Sequence, residues 1–132
     1  MRPATIAEVA RRLFDVPAQP LWKPLGEFLD EFYEPESDNA AMLIEEPCAE
    51  IPHTYLAYLA AAAEHLSSLY RLSAPDWVTK PAYFLDQAFY DCDLGPRVEA
   101  MLIAESPISF RRRFIFTEAE PLRRKRGPAP VA

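Results

Sequence analysis

Apolar residues recur along this chain at three- and four-residue spacing in several separate stretches, of which the longest is HTYLAYLAAAAEHLSSLYRL, residues 53 to 72. Tyr55, Leu56, Leu59, Ala62, Ala63, Leu66, Leu69 and Tyr70 form one helical stripe, and Tyr58, Ala61 and His65 begin a second. Two contacting faces predict neighbours on both sides, hence a central buried helix with Leu59 and Leu66 in the core. The alanines at 60 to 63 favour the helix and, having little bulk, let adjacent helices come close.

The same periodicity organises what precedes it. Thr5 and Glu8 have capping-box spacing, and Ile6, Val9, Ala10, Leu13 and Phe14 supply a stripe that Pro17 ends. Leu21, Trp22, Leu25, Phe28, Leu29, Phe32 and Tyr33 then predict a second amphipathic helix, with Pro24 in its first turn and Trp22 in the core. Glu27, Asp30, Glu31 and Glu34 take its opposite face. Ser37 or Asp38 is positioned to cap a third helix through Ala40, Met42, Leu43 and Ile44, stopped by Pro47.

Beyond Arg71 the pattern breaks into short apolar pieces separated by proline. Trp77, Tyr83, Phe84, Phe89 and Tyr90 carry large rings in segments too short to be stable alone, so they should dock on the core. Trp77, Phe84 and Phe110 are the core candidates here. Pro96 fits a first helical turn, with Val98, Met101 and Leu102 on the buried side, and Ser106-Pro107 has the look of an N-cap followed by a first helical residue. Phe114 to Phe116 are compatible with an extended segment, and Thr117 with Glu120 repeats capping-box spacing. The predicted fold is all-α, a single domain over residues 1 to 122 with about six to seven helices around the central one. Residues 123 to 132, with Gly127, Pro128 and Pro130, are expected to be a mobile basic tail.

Composition sharpens this picture. Half of the 132 residues are hydrophobic, so a real core can form, and fourteen prolines against three glycines require short elements with sharp ends. No apolar run approaches the roughly 18 residues needed to span a bilayer. The opening Met-Arg-Pro-Ala-Thr leads into an amphipathic segment rather than a signal-peptide core, and Cys48 and Cys92 stand far apart. A cytoplasmic protein without a disulfide is expected.

Charge is segregated. Residues 1 to 100 hold seven Lys/Arg against seventeen Asp/Glu, whereas residues 101 to 132 hold seven against three. Such an imbalance suggests a charged partner, the alternative being a solvated acidic face and a frayed basic tail. The triplet Arg111, Arg112 and Arg113 is tied to the body by Phe110 and by Phe114 to Phe116. Internal pairing with the acidic excess and outward binding of a partner or an anion are both open to it. A broad basic face is missing, which argues against specific nucleic-acid binding and in favour of no more than nonspecific attraction by RRKR at 123 to 126.

Motifs for chemistry are few. The sequence has no Gly-rich phosphate loop, no H-E-x-x-H, no C-x-x-C and no nucleophile elbow, which counts against an enzyme, and no cofactor is expected. Cys48, Glu50 and His53 do not make a closed metal site. His65, amid the central helix, reads as structural, and the pairs Asp30/Glu31 and Glu45/Glu46 as solvent-facing surface.

From about Leu25 to Arg124 the chain resembles a family of small, uncharacterised bacterial helical proteins. The resemblance rests on Glu64, His65 and Leu66; on Ala74, Pro75, Asp76 and Trp77; on Tyr83, Phe84 and Leu85; and on Ser106, Pro107, Phe110, Arg111, Arg112, Ile115 and Phe116. Members are often encoded beside a nucleotidyltransferase-like protein, in an arrangement that looks like a toxin–antitoxin pair. The resemblance therefore implies an antitoxin-like, noncatalytic partner protein, with residues 1 to 20 as a variable arm. Candidate partner-binding residues are Glu27, Asp30, Glu31 and Glu34 on the acidic side and Arg111 to Arg113 on the basic side. Two alternatives stand beside it. One is a ligand-binding or enzymatic domain with a pocket of Trp77, Tyr83, Phe84 and Tyr90 and an arginine anion site; the other is a weak DNA-binding autoregulator. A homodimer is open in the absence of a partner.

Overall fold

The computed structural model describes residues 5–34, 40–48, 51–91 and 94–123. In chain order these form α1 (Ile6–Asp15), α2 (Trp22–Phe32), α3 (Ala40–Leu43) and α4 (His53–Leu69). Two 3-10 turns follow, Asp76–Thr79 and Pro81–Tyr83, then β1 (Phe89–Tyr90), α5 (Pro96–Glu105), α6 (Ile108–Arg111) and β2 (Ile115–Phe116). The fold is all-α with one small sheet, in which β1 and β2 pair in parallel, Phe89 opposite Ile115 and Tyr90 opposite Phe116. Among the described residues no helix is long and apolar enough to cross a membrane.

Local chemistry places the helix ends. The Thr5 hydroxyl accepts from the Glu8 N–H at 3.2 Å, and α1 stops two residues before Pro17. Pro24 lies in the first turn of α2, and Pro96 opens α5 behind Gly95, whose φ of 98° an L side chain rarely adopts. At the end of α4, Arg71 turns left-handed with φ 57°, and the Leu72 N–H closes back on the Ser67 carbonyl at 2.8 Å. This is a Schellman closure with arginine where glycine is usual.

The centre of α4 is enclosed on all sides, with every residue from Ala57 to Ala63 buried. Alanine makes that possible, because α1, α6 and both 3-10 turns pack directly on this helix. From α1 come Ile6, Val9, Ala10 and Leu13, all essentially inaccessible, so the first helix is an integral part of the core. From α2 come Leu25, Phe28, Leu29 and Phe32, which continue into an aromatic cluster where the Tyr70 ring meets Phe32 edge-on at 5.2 Å. Tyr33 donates to the Leu122 carbonyl at 2.8 Å and anchors the last described stretch. Trp77 and Tyr83 pack edge to face at 5.0 Å, and each satisfies its polar atom on the chain before α4. The Trp77 Nε1–H donates to the Ile44 carbonyl at 3.0 Å and the Tyr83 hydroxyl to that of Cys48 at 3.4 Å.

Several expectations are corrected. Trp22 is 70% exposed. The apolar stripe of α2 extends to it, but the packing surface does not, because it is the first residue of the helix and stands at the rim of a cleft. Phe84 is half-buried, lying beneath arginine side chains instead of in the core, and Met101 points to solvent, leaving Leu102 as the buried residue of α5. α3 ends at Leu43, ahead of Pro47. Ser106 does not cap α6. Its hydroxyl donates to the Leu102 carbonyl at 2.5 Å and accepts from the Thr117 N–H at 2.8 Å, clasping α5 to the end of β2. Among the described residues no helix follows Thr117, whose own hydroxyl turns to the Glu118 carbonyl. Ser37, Asp38, Glu50, Cys92 and the tail beyond Arg123 lie outside the described residues.

Candidate functional site

The arginine triplet leaves the end of α6 in three directions, because consecutive positions on a helical turn diverge by about 100°. Arg113 points inward and is completely buried. Its Nη1 donates to Glu64 Oε1 at 2.7 Å and to the Ser109 carbonyl at 2.8 Å, and its Nη2 donates to the Val78 carbonyl at 2.5 Å. The guanidinium also lies over the Phe84 ring, 4.4 Å from its centroid. One side chain thus joins α4, the first 3-10 turn, α6 and the segment after the second turn. Its Nε is the one fully enclosed side-chain polar atom left without a partner among the described residues.

Glu64 is the counterpart. It is a lone carboxylate in the apolar middle of α4, and three donors converge on it: Arg113, Arg112 at 3.4 Å and the Ser109 hydroxyl at 3.3 Å. Burial pulls the Arg113 guanidinium below its usual range; the hydrogen bond and charge of Glu64 oppose that, and Arg112 adds to it. A guanidinium held this way has no face to offer a partner, so Arg113 is withdrawn from the partner-binding candidates. Arg112 is partly exposed and shares Glu64 and Phe84. Arg111 reaches back to the last carbonyls around α5, Ala104 at 3.3 Å and Ser106 at 2.9 Å, where a cation suits the helix C-terminus.

The acidic candidates lie on α2 and just after it. Glu27 is half-buried and 3.8 Å from Arg12, a contact that links α2 to α1. Asp30 and Glu31 are half-buried, and Glu34 is exposed. Trp77 and Tyr83 are packed inside, Phe84 is covered by arginines and Tyr90 stacks on Phe116, so these four rings do not line one pocket. Of the arginine anion site anticipated beside them, Arg112 and Arg113 are taken up by Glu64 and Arg111 by backbone carbonyls.

Neither titratable candidate on the central layer is set up for chemistry. His65 meets Phe110 edge-on at 5.8 Å, and burial lowers its pKa below 6.5, with Glu64 opposing in part. Cys48 is a free, buried thiol whose Sγ lies 3.7 Å from the Ile6 carbonyl. Burial, then the Glu46 charge, pushes it up to about 12, so it carries almost no thiolate at neutral pH. His53 is exposed on the solvent side.

What sequence reasoning missed is the apolar surface between residues 94 and 114. Leu94, Met101, Ile103, Ile108 and Phe114 make up five of the nine strongly exposed large apolar side chains among the described residues. The available signal was the MLI run in α5, whose three consecutive apolar residues cannot all face one side of a helix. Comparison of the chain with protein-family models, with curated proteins and with solved structures finds no match.

Proposed function

We propose that this protein is a noncatalytic binding module that docks on another protein, an antitoxin-like partner of a nucleotidyltransferase-like protein. The observation that carries the reading is the exposed apolar segment on α5 and α6. A ten-residue helix that buries only Leu102 gains little from its own fold and presents Met101 and Ile103 to whatever approaches. Burying such side chains in a complex contributes about 25 cal/mol per Å² of apolar surface. Exposed Glu34, Glu45 and Glu46 supply a negative field that would steer a basic, nucleotide-handling surface toward the module. The arginines serve this function indirectly, since Arg113 and Arg111 hold α6 and the end of α5 in place.

The test is co-purification with a nucleotidyltransferase-like protein from the same genome, followed by light scattering of the mixture. A stoichiometric complex that Met101→Asp together with Ile108→Asp abolishes, while both proteins stay folded, supports the reading. Two folded proteins that elute separately at micromolar concentration refute it. A stable homodimer sensitive to the same substitutions would reassign the surface to self-association.

A further inference from the structure

A cleft of about 360 Å³ opens between α2 and α4, and Phe89 of β1 also lines it. That volume is at the small end of ligand pockets, which run from about 300 to 1,000 Å³. Leu25, Leu29 and Phe89 give it apolar walls, Tyr55 and Tyr58 add aromatic faces, and the exposed indole of Trp22 stands at its rim. Asp91 supplies a carboxylate.

Two polar groups there lack protein partners. The Tyr58 residue is only 6% exposed, yet no described residue hydrogen-bonds its hydroxyl. That hydroxyl is also not among the fully enclosed unpartnered atoms, so it reaches the open space of the cleft. Among the described residues no cation or hydrogen-bond donor meets the Asp91 carboxylate either; only its backbone N–H is engaged, on the Phe116 carbonyl at 3.0 Å. Arg123 also lines the cleft, but its guanidinium is 3.0 Å from Glu120.

We propose that this cleft binds a small organic amine, its cationic nitrogen on Asp91 and the Tyr58 hydroxyl and its apolar or aromatic body between α2 and α4. The charges nearby favour a cation. Burial and the neighbouring Glu118 raise the Asp91 pKa, and burial, then Asp91, then Glu118 raise that of Tyr58, so among the described residues the charge acting on these two groups is negative. An ammonium group donates to both oxygens and gains from the surrounding ring faces. An anionic ligand would meet the Asp91 carboxylate, while Arg123 is paired with Glu120. The inference goes beyond the partner-protein reading and stands or falls independently of it.

Calorimetric titration of the full chain with phenethylamine, 2-phenylethanol and 3-phenylpropionate separates the possibilities, with the fluorescence of Trp22 as a second readout. Phenethylamine should bind about tenfold more tightly than the alcohol, and the carboxylate should not bind. Asp91→Asn, an isosteric change, should remove the amine's advantage and leave the alcohol unaffected. Tyr58→Phe, which keeps the buried ring, should weaken the amine by a smaller factor. Thermal unfolding of both variants establishes that they are folded. Equal binding of all three probes, no amine binding up to about 10 mM, or an unchanged amine affinity in folded Asp91→Asn overturns the proposal.

Discussion

Arg113 Nη1 and Glu64 Oε1 are 2.7 Å apart, although 49 residues separate them in sequence, and the arginine side chain has no solvent exposure at all. Buried pairs of this kind are costly to assemble and more costly to break, since removing one member strands the other's charge. Arg113→Ala should therefore destabilise the fold by about 3–5 kcal/mol. Replacing both members by apolar residues of similar size, Arg113→Met with Glu64→Leu, should cost much less than the two single changes together. Arg111→Ala and Arg112→Ala, at exposed positions, should each cost less than about 1 kcal/mol. Urea unfolding of the six variants, the two single changes included, measures this. An Arg113→Ala loss as small as that of Arg111→Ala would show that the pair does not brace the fold.

Ser106→Ala should cost about 1–3 kcal/mol, more than a surface hydroxyl, because it leaves the buried Thr117 N–H without an acceptor. The loss should be local: amides of α5 should lose exchange protection while those of α4 keep theirs. Uniform loss across both helices would contradict the clasp.

The ring of His65 has its pKa lowered by burial, which Glu64 only partly offsets. The unfolded chain then binds a proton that the folded chain resists. This contribution to stability is complete above 6.5 and is lost as pH falls from 6.5 toward the lower folded value. Relative to the parent, His65→Phe should therefore lose less stability between about pH 7.5 and about pH 5.5. Identical pH profiles in urea unfolding would place His65 outside this linkage.

In a Cys92→Ser background, Cys48 should resist alkylation at neutral pH until the chain unfolds, because its thiol is buried and pushed up to about 12. Labelling monitored by mass spectrometry along a urea gradient should track the unfolding curve. Rapid modification of the folded protein would refute the burial of this side chain.

Much of the helical layer was legible in the sequence. Thr5, Pro24 and Pro96 act through backbone geometry that is local, and the stripes of α1, α2 and α4 repeat over enough turns for periodicity to declare them. What escaped depends on partners distant in sequence. Two-residue strands such as β1 and β2 have no period to read, and their pairing spans the whole of α5 and α6. The fate of the arginine triplet was open for a similar reason. Which of three successive arginines turns inward follows from where Glu64, Val78 and Phe84 meet, and no local rule brings those together. Trp22 misled because helical periodicity reports the angle around a helix and says nothing of how far along it the neighbour extends. The cleft was invisible because Tyr58 and Asp91 belong to segments that sequence alone does not place side by side.

The parallel pairing of β1 with β2 gives α5 a particular place in the molecule. Between β1 and α6, which is itself packed on α4, α5 is held to the body by Leu102, the Ser106 clasp and the Arg111 bonds to its last carbonyls. Undocking it forfeits those few ties and leaves α1, α2 and α4 as they are. Its opening free energy is thus a small fraction of the global one, and a binder that seizes it can remodel this segment without unfolding the domain.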